Sequence, residues 1–161
     1  IVVDIGGTTS DIGVLANGFP RESNSFIDVG GVRTNFRMPD IMAIGLGGGS
    51  LVSSDGKVIG PSSVGHRLVK EGLVYGGPQL TATDIVVASG YQQIGDTSRV
   101  SGLSESLVNT ASATIHRMID EAIDKMRPSD KPVPVILVGG GSILITDQLT
   151  TASPVYCSYH A

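Results

Sequence analysis

Over the first third of the chain, apolar positions come in short runs closed by glycine, and only later do they fall into a helical period. Residues 1–5 and 11–15 are two such runs, separated by Gly6, Gly7, Thr8, Thr9 and Ser10. Two short strands about a turn of glycines and hydroxyls predict a hairpin. Asn17-Gly18 is a second turn signal, because both residues tolerate the left-handed backbone of a two-residue hairpin loop. A third strand is expected to follow, to include residues 25–29 and to end at Gly30-Gly31. Residues 41–46 are apolar up to Gly47-Gly48-Gly49-Ser50, and Asp55-Gly56 between Val52 and Val58 predicts another hairpin. From Gly60 to Gly77 no clean period holds, which reads as loop with one helical turn. Thr83 stands where an N-cap belongs, ahead of a short helix over 84–88.

The spacing predicts a long helix over 103–126. Leu107, Val108, Ala111, Ile115, Met118, Ile119, Ala122 and Met126 recur at steps of three and four and form one apolar stripe. Ser101 or Ser104 caps its start and Pro128 stops it. Residues 133–138 are a continuous apolar run, the pattern of a strand buried on both faces. Gly139, Gly140, Gly141 and Ser142 follow at once, and a helix is expected to open from Ile143. Hairpins, a long helix, a buried strand and a glycine turn predict a mixed α/β domain.

Composition narrows the class. The 161 residues include 22 glycines, roughly twice the usual share of about 7%. They cluster without a three-residue period, which excludes collagen, and 40% hydrophobic residues exclude disorder. A net charge of −4 leaves no basic face for nucleic acid. No apolar run reaches the ~18 residues of a membrane-spanning helix. Cys157 is the single cysteine, so no internal disulfide forms, and a cytoplasmic setting is expected. Charged residues are only 16%, mean hydropathy is +0.21, and Ile1 opens inside a strand already under way. These features predict a piece of something larger with one face covered by protein. The covering protein is either another part of the same protein, another subunit or a further copy of the chain.

Two stretches carry the main candidate chemistry. In Asp4-Ile5-Gly6-Gly7-Thr8-Thr9-Ser10-Asp11, a glycine turn leaves backbone N–H groups unhindered and able to converge on an anion, and three hydroxyls add donors. Asp4 and Asp11, at the strand ends, can hold Mg²⁺ through water. The alternative is a hairpin whose turn residues satisfy one another. Gly139, Gly140, Gly141 and Ser142 can place a nucleotide against backbone amides, or simply make a tight turn. Residues 45–50 offer a third glycine cluster, equally readable as close backbone approach. A Rossmann fingerprint fails because Leu144 takes the third glycine's place, and no G-x-x-x-x-G-K-[ST] occurs. Arg33 and Arg37 could clamp an anion or lie in a solvated loop. Thr81, Thr83 and Asp84 read as a helix cap, with or without a ligand. His66, in a glycine-broken loop, could be a general base or a metal ligand, or neither; His116 reads as a surface residue of the long helix, His160 falls in residues 147–161, and Cys157 lacks the base that would make it a nucleophile.

Taken together, the motifs DIGGTTSD (4–11), DVGGVRTNFRMPDI (28–41), GLGGGS (45–50), IGP (59–61), LTATD (80–84) and VGGGSI (138–143) resemble the hydantoinase/oxoprolinase family. That resemblance implies a ribonuclease H-like half of an actin-like ATPase, a mixed sheet with β-hairpins and flanking helices. It implies ATP and Mg²⁺ as cofactors and a small cyclic amide as substrate. Asp4 and Asp11 would be catalytic, with Asp4 at the metal. Gly6, Gly7, Thr8, Thr9 and Ser10 would hold phosphates, and Gly139, Gly140, Gly141 and Ser142 would face the adenosine. Residues 1–146 would form the second of two halves, and 147–161 do not resemble the family's continuation. An inactive interaction domain and a sugar- or acid-kinase half are the alternatives.

Overall fold

The computed structural model describes residues 1–23, 27–30, 32–34, 38–131, 133–145, 149 and 152–157. It opens with the expected antiparallel hairpin, β1 (Val2–Ile5) and β2 (Ser10–Gly13), in which Val3 faces Ile12 and Asp4 faces Asp11. Very short strands follow: β3 (Leu15–Ala16), β4 (Phe19–Pro20), β5 (Glu22–Ser23), β6 (Ile27–Val29), β7 (Val32–Thr34) and β8 (Met38–Pro39). They pair antiparallel as β3 with β4, β5 with β8 and, nested between these, β6 with β7. Asn17 and Gly18 link the first pair with φ of 54° and 84°, the backbone their sequence demanded. The chain then makes β9 (Ile41–Ile44), a hairpin of β10 (Ser50–Val52) and β11 (Ile59–Ser63), and helices α1 (Leu68–Glu71), α2 (Ala82–Ala88) and α3 (Glu105–Met126). It returns through β12 (Val133–Val138) and β13 (Ala152–Cys157).

The main sheet runs β13-β12-β1-β2-β9. β12 is parallel to β1 and to β13, whereas β2 is antiparallel to both its neighbours. A hairpin-led mixed sheet with a helical connection into the parallel strand is the ribonuclease H-like half implied by the motifs. Val3, Ile5, Ile12, Val135 and Leu137 from the sheet meet Ile115, Ile119 and Ile123 of α3 and Ile85 of α2 in one core. Each such side chain contributes about 1.5–3 kcal/mol on burial.

Some expectations are corrected. β12 is not buried on both faces: Val135 and Leu137 are fully covered, but Ile136 is 38% exposed. An apolar run does not reveal how many layers will cover it, and α2 and α3 pack on one side only. The cap of α2 is Thr81, not Thr83, because Thr81 Oγ1 accepts from Asp84 N while the Asp84 carboxylate accepts from Thr81 N. α3 starts at Glu105 under a Ser104 cap. After β12 the glycines open a 3₁₀ turn, Gly140–Leu144, where a longer helix was expected from Ile143. Between Gly60 and Gly77, β11 continues to Ser63, and α1 is the single helical turn, flanked by the 3₁₀ turns Gly65–Arg67 and Leu73–Tyr75. Ser25, Gly31, Arg37 and His160 lie outside the described residues.

Candidate functional site

The turn between β1 and β2 is closed by Gly6 N–H donating to Thr9 O (2.9 Å). Thr8 and Thr9 are exposed, but Ser10 points inward and donates from Oγ to Leu46 O (2.7 Å), so its hydroxyl anchors the hairpin. The third glycine cluster wraps this turn, with Gly48 N donating to Gly6 O (3.0 Å) and Gly49 N to Gly7 O (2.7 Å). At Gly47 a Cβ would lie 2.5 Å from Thr8 N and 2.6 Å from Gly7 C, a contact only glycine permits. The loop after β12 presses on the same turn from another side. Gly139, with φ of 84° and ψ of 159°, leaves no room for a side chain between Asp4 Oδ1 and Ile5 O. Gly6, Gly7, Gly48, Gly140 and Gly141 therefore line one cavity of about 280 Å³.

Its remaining walls come from Leu68, Tyr75, Thr83, Ile94 and Ile143. Thr83 ties the start of α2 to the glycine cluster, its Oγ1 donating to Gly48 O (2.9 Å). Leu68 and Tyr75 come from the stretch without a clean period and Ile94 from the connection between α2 and α3, where no pattern marked them. Ser142 is buried, and its N–H donates to Gly139 O (3.0 Å).

Asp4 and Asp11 stand opposite each other on the outer sheet face, both exposed. They line a groove of about 320 Å³ whose floor includes Val2, Gly13 and Ile41. Like charges directly opposite across a strand pair are destabilising. Neither carboxylate forms an ion pair with a described residue, whereas Asp40 in the same groove is held by Arg21 (2.7 Å). Among the described residues no group of three or more His, Cys, Asp or Glu gathers to hold a metal. The two predicted sets thus lie on two sides of one hairpin end, joined where Gly139 meets Asp4.

A model of the hydantoinase/oxoprolinase family matches residues 1–96, well over half of the chain. The chain belongs to that family. A search of the solved structures returns a nucleotide-free acetone carboxylase, from work titled on the mechanism of ATP-dependent acetone carboxylation. The likeness has a TM-score of 0.60 at 21% identity and covers 89% of this chain, which shows the fold. It covers 24% of the solved chain, so this domain spans about a quarter of that chain's length. No curated protein matches.

Within this member of the hydantoinase/oxoprolinase family, the other candidates disperse. His66 is exposed on the 3₁₀ turn Gly65–Arg67, next to Gly65, which packs near Thr8. Arg33 is on β7, and no described helix is long and apolar enough to cross a membrane. Cys157, half-buried on β13, packs against the core. His116 is half-buried on α3. Burial lowers its pKa below the ordinary 6.5, against a smaller upward pull from Asp120. The unfolded chain therefore binds more protons just below pH 6.5, and stability from this residue is lost as pH falls through that window. Melting temperatures between pH 7 and pH 5 are expected to fall less steeply in His116→Gln than in the parent. Equal slopes would mean that His116 is not desolvated.

Proposed function

We propose that this chain is the nucleotide-binding half of an ATP-dependent hydrolase of the hydantoinase/oxoprolinase type, acting on a small cyclic amide. The observation that carries it is the convergence of three glycine clusters, distant in sequence, on one cavity. Two of the glycines, Gly7 and Gly140, have nothing within 4 Å of where a Cβ would stand. Packing does not require glycine there, but close approach of a ligand to the backbone does. Residues 1–146 would form the domain, the second of two actin-like halves, with 147–161 as a tail. A partner half, from the same protein or another subunit, would close the cleft. A further copy of the chain is the other candidate, and the need for ATP suits a cytoplasmic setting.

The donors present fit Mg²⁺. Asp4 and Asp11 offer hard oxygens, and two carboxylates suit an ion that keeps several waters and bridges to phosphate. When bound, Mg·ATP supplies the phosphoryl group that activates the amide carbonyl oxygen before water opens the ring. The turn around Gly6, Gly7, Thr8 and Thr9 holds the phosphates through N–H groups and hydroxyls, with Ser10 fixing the hairpin beneath. The backbone of Gly139, Gly140, Gly141 and Ser142 faces the adenosine. Asp4, with Asp11 beside it, would hold Mg²⁺ through its waters. Such a site acts by positioning and by fixed dipoles aimed at developing charge.

Calorimetric titration of the full-length natural protein with Mg·ATP tests this. Saturable binding is expected, weaker by about tenfold or more in Asp4→Ala. Gly7→Ala and Gly140→Ala are expected to lose affinity with unchanged melting temperature. No binding, or binding indifferent to all three changes, would sink the proposal. In that event the non-catalytic interaction domain becomes the better account. It is favoured by the outer sheet face, where Ile136, Ile41 and Tyr156 are 38%, 56% and 57% exposed.

A further inference from the structure

We propose that a second ligand site lies in the groove between the C-terminal end of α2 and the first three turns of α3, and that it takes an uncharged polar ring. The groove has a volume of about 530 Å³, within the range of small-molecule sites. Glu105, Asn109, Ser112 and His116 line it along one face of α3, at steps of four, three and four residues, so one polar group follows another about every 5–6 Å. Tyr91, 59% exposed, stands among the facing residues, and Val108 contributes to an apolar floor.

The chemistry of the lining selects the ligand. No lysine or arginine is among the described residues that line it, so a phosphate or carboxylate finds no counter-charge. Its one carboxylate, Glu105, is exposed and too well solvated to hold a cation by itself. Burial lowers the His116 pKa against a smaller upward pull from Asp120, which favours the neutral ring, and among the described residues the ring makes no hydrogen bond. A neutral imidazole is both donor and acceptor, as are the Asn109 amide and the Ser112 hydroxyl. Spaced donors and acceptors above an apolar floor, beside an open aromatic ring, suit a ring with an apolar face and hydrogen-bonding groups around its edge. A planar cyclic imide of the nucleobase kind and a pyranose sugar share that chemistry. The site is separate from the glycine cavity, which lies at the other end of α2 where Thr83 stands. Its test does not depend on nucleotide binding.

Histidine-detected NMR of the full-length protein, titrated with uracil and separately with glucose, decides the matter. Saturable shifts of the His116 ring signals are expected with at least one probe, at a dissociation constant of about 1 mM or tighter. Uracil alone would identify the imide source and glucose alone the sugar source. Ser112→Leu, which fills the groove with a good helix former, is expected to weaken that binding by about tenfold or more at unchanged melting temperature. If Ser112→Leu lowers stability, Ala113→Leu at an exposed position of the same lining replaces it. The proposal is overturned if neither ring gives saturable shifts, or if the shifts persist undiminished in the filled variant.

Discussion

Replacing Asp84 with alanine is expected to lower stability by about 3 kcal/mol, and the melting temperature by roughly 6–12 °C for a chain of this size. The carboxylate is fully buried and forms no ion pair with a described residue. It is held by donors alone: Thr81 N at 2.7 Å, Thr81 Oγ1 at 2.7 Å, Val74 N at 2.8 Å and Leu73 N at 3.3 Å. It caps α2 and ties the 3₁₀ turn Leu73–Tyr75 to the helix start, so one side chain fixes two walls of the glycine cavity. Truncation strands the buried N–H groups of Val74 and Thr81, at about 1–3 kcal/mol each, while Leu73 N still donates to Gln79 O (3.1 Å). Thr81→Val removes one hydroxyl and should cost only about 1 kcal/mol. Urea denaturation of both variants measures the difference. A loss below about 1 kcal/mol in Asp84→Ala would mean that water or other groups satisfy these donors.

Gly47→Ala is expected to damage stability and nucleotide binding together. The added Cβ would lie 2.5–2.7 Å from Thr8 N, Gly7 C and Gly6 O, all backbone atoms, so the turn itself must move. Overpacking of this kind costs about 1–3 kcal/mol. The shift also breaks the bonds from Gly48 N and Gly49 N that hold the turn, so loss of measurable Mg·ATP binding follows if the turn is the phosphate site. Gly7→Ala supplies the contrast: its Cβ stands in open space, and only binding should suffer. Were Gly47→Ala as stable as the parent and as able to bind, the tight packing of the turn would have no functional consequence.

Much of this was legible in the sequence, for local reasons. Asn17-Gly18, Asp55-Gly56 and the apolar stripe of α3 specify turns and a helix through φ preferences and a period of three to four residues. The ordered glycine motifs pointed to the family and to Gly6, Gly7, Gly140 and Gly141, which share one cavity. The same reading misplaced the α2 cap at Thr83, because two threonines two residues apart satisfy the same local preference. Which of them caps is settled by where the Asp84 carboxylate reaches.

What only the tertiary structure decided depends on contacts between residues far apart in the chain. Ser10 and the two threonines before it are chemically alike in sequence, yet Ser10 bonds Leu46 and faces the core while Thr8 and Thr9 face solvent. The alternation of a strand assigns opposite faces, but the helices packed on the sheet determine which face is inside. The same holds for β12, whose apolar run admitted two covered faces until α2 and α3 were found on one side. Local sequence chose the elements, the turns and the glycine positions. The meeting of Gly47 with Thr8, of Gly139 with Asp4 and of Asp84 with Val74 came from burial and backbone hydrogen bonding across the whole domain.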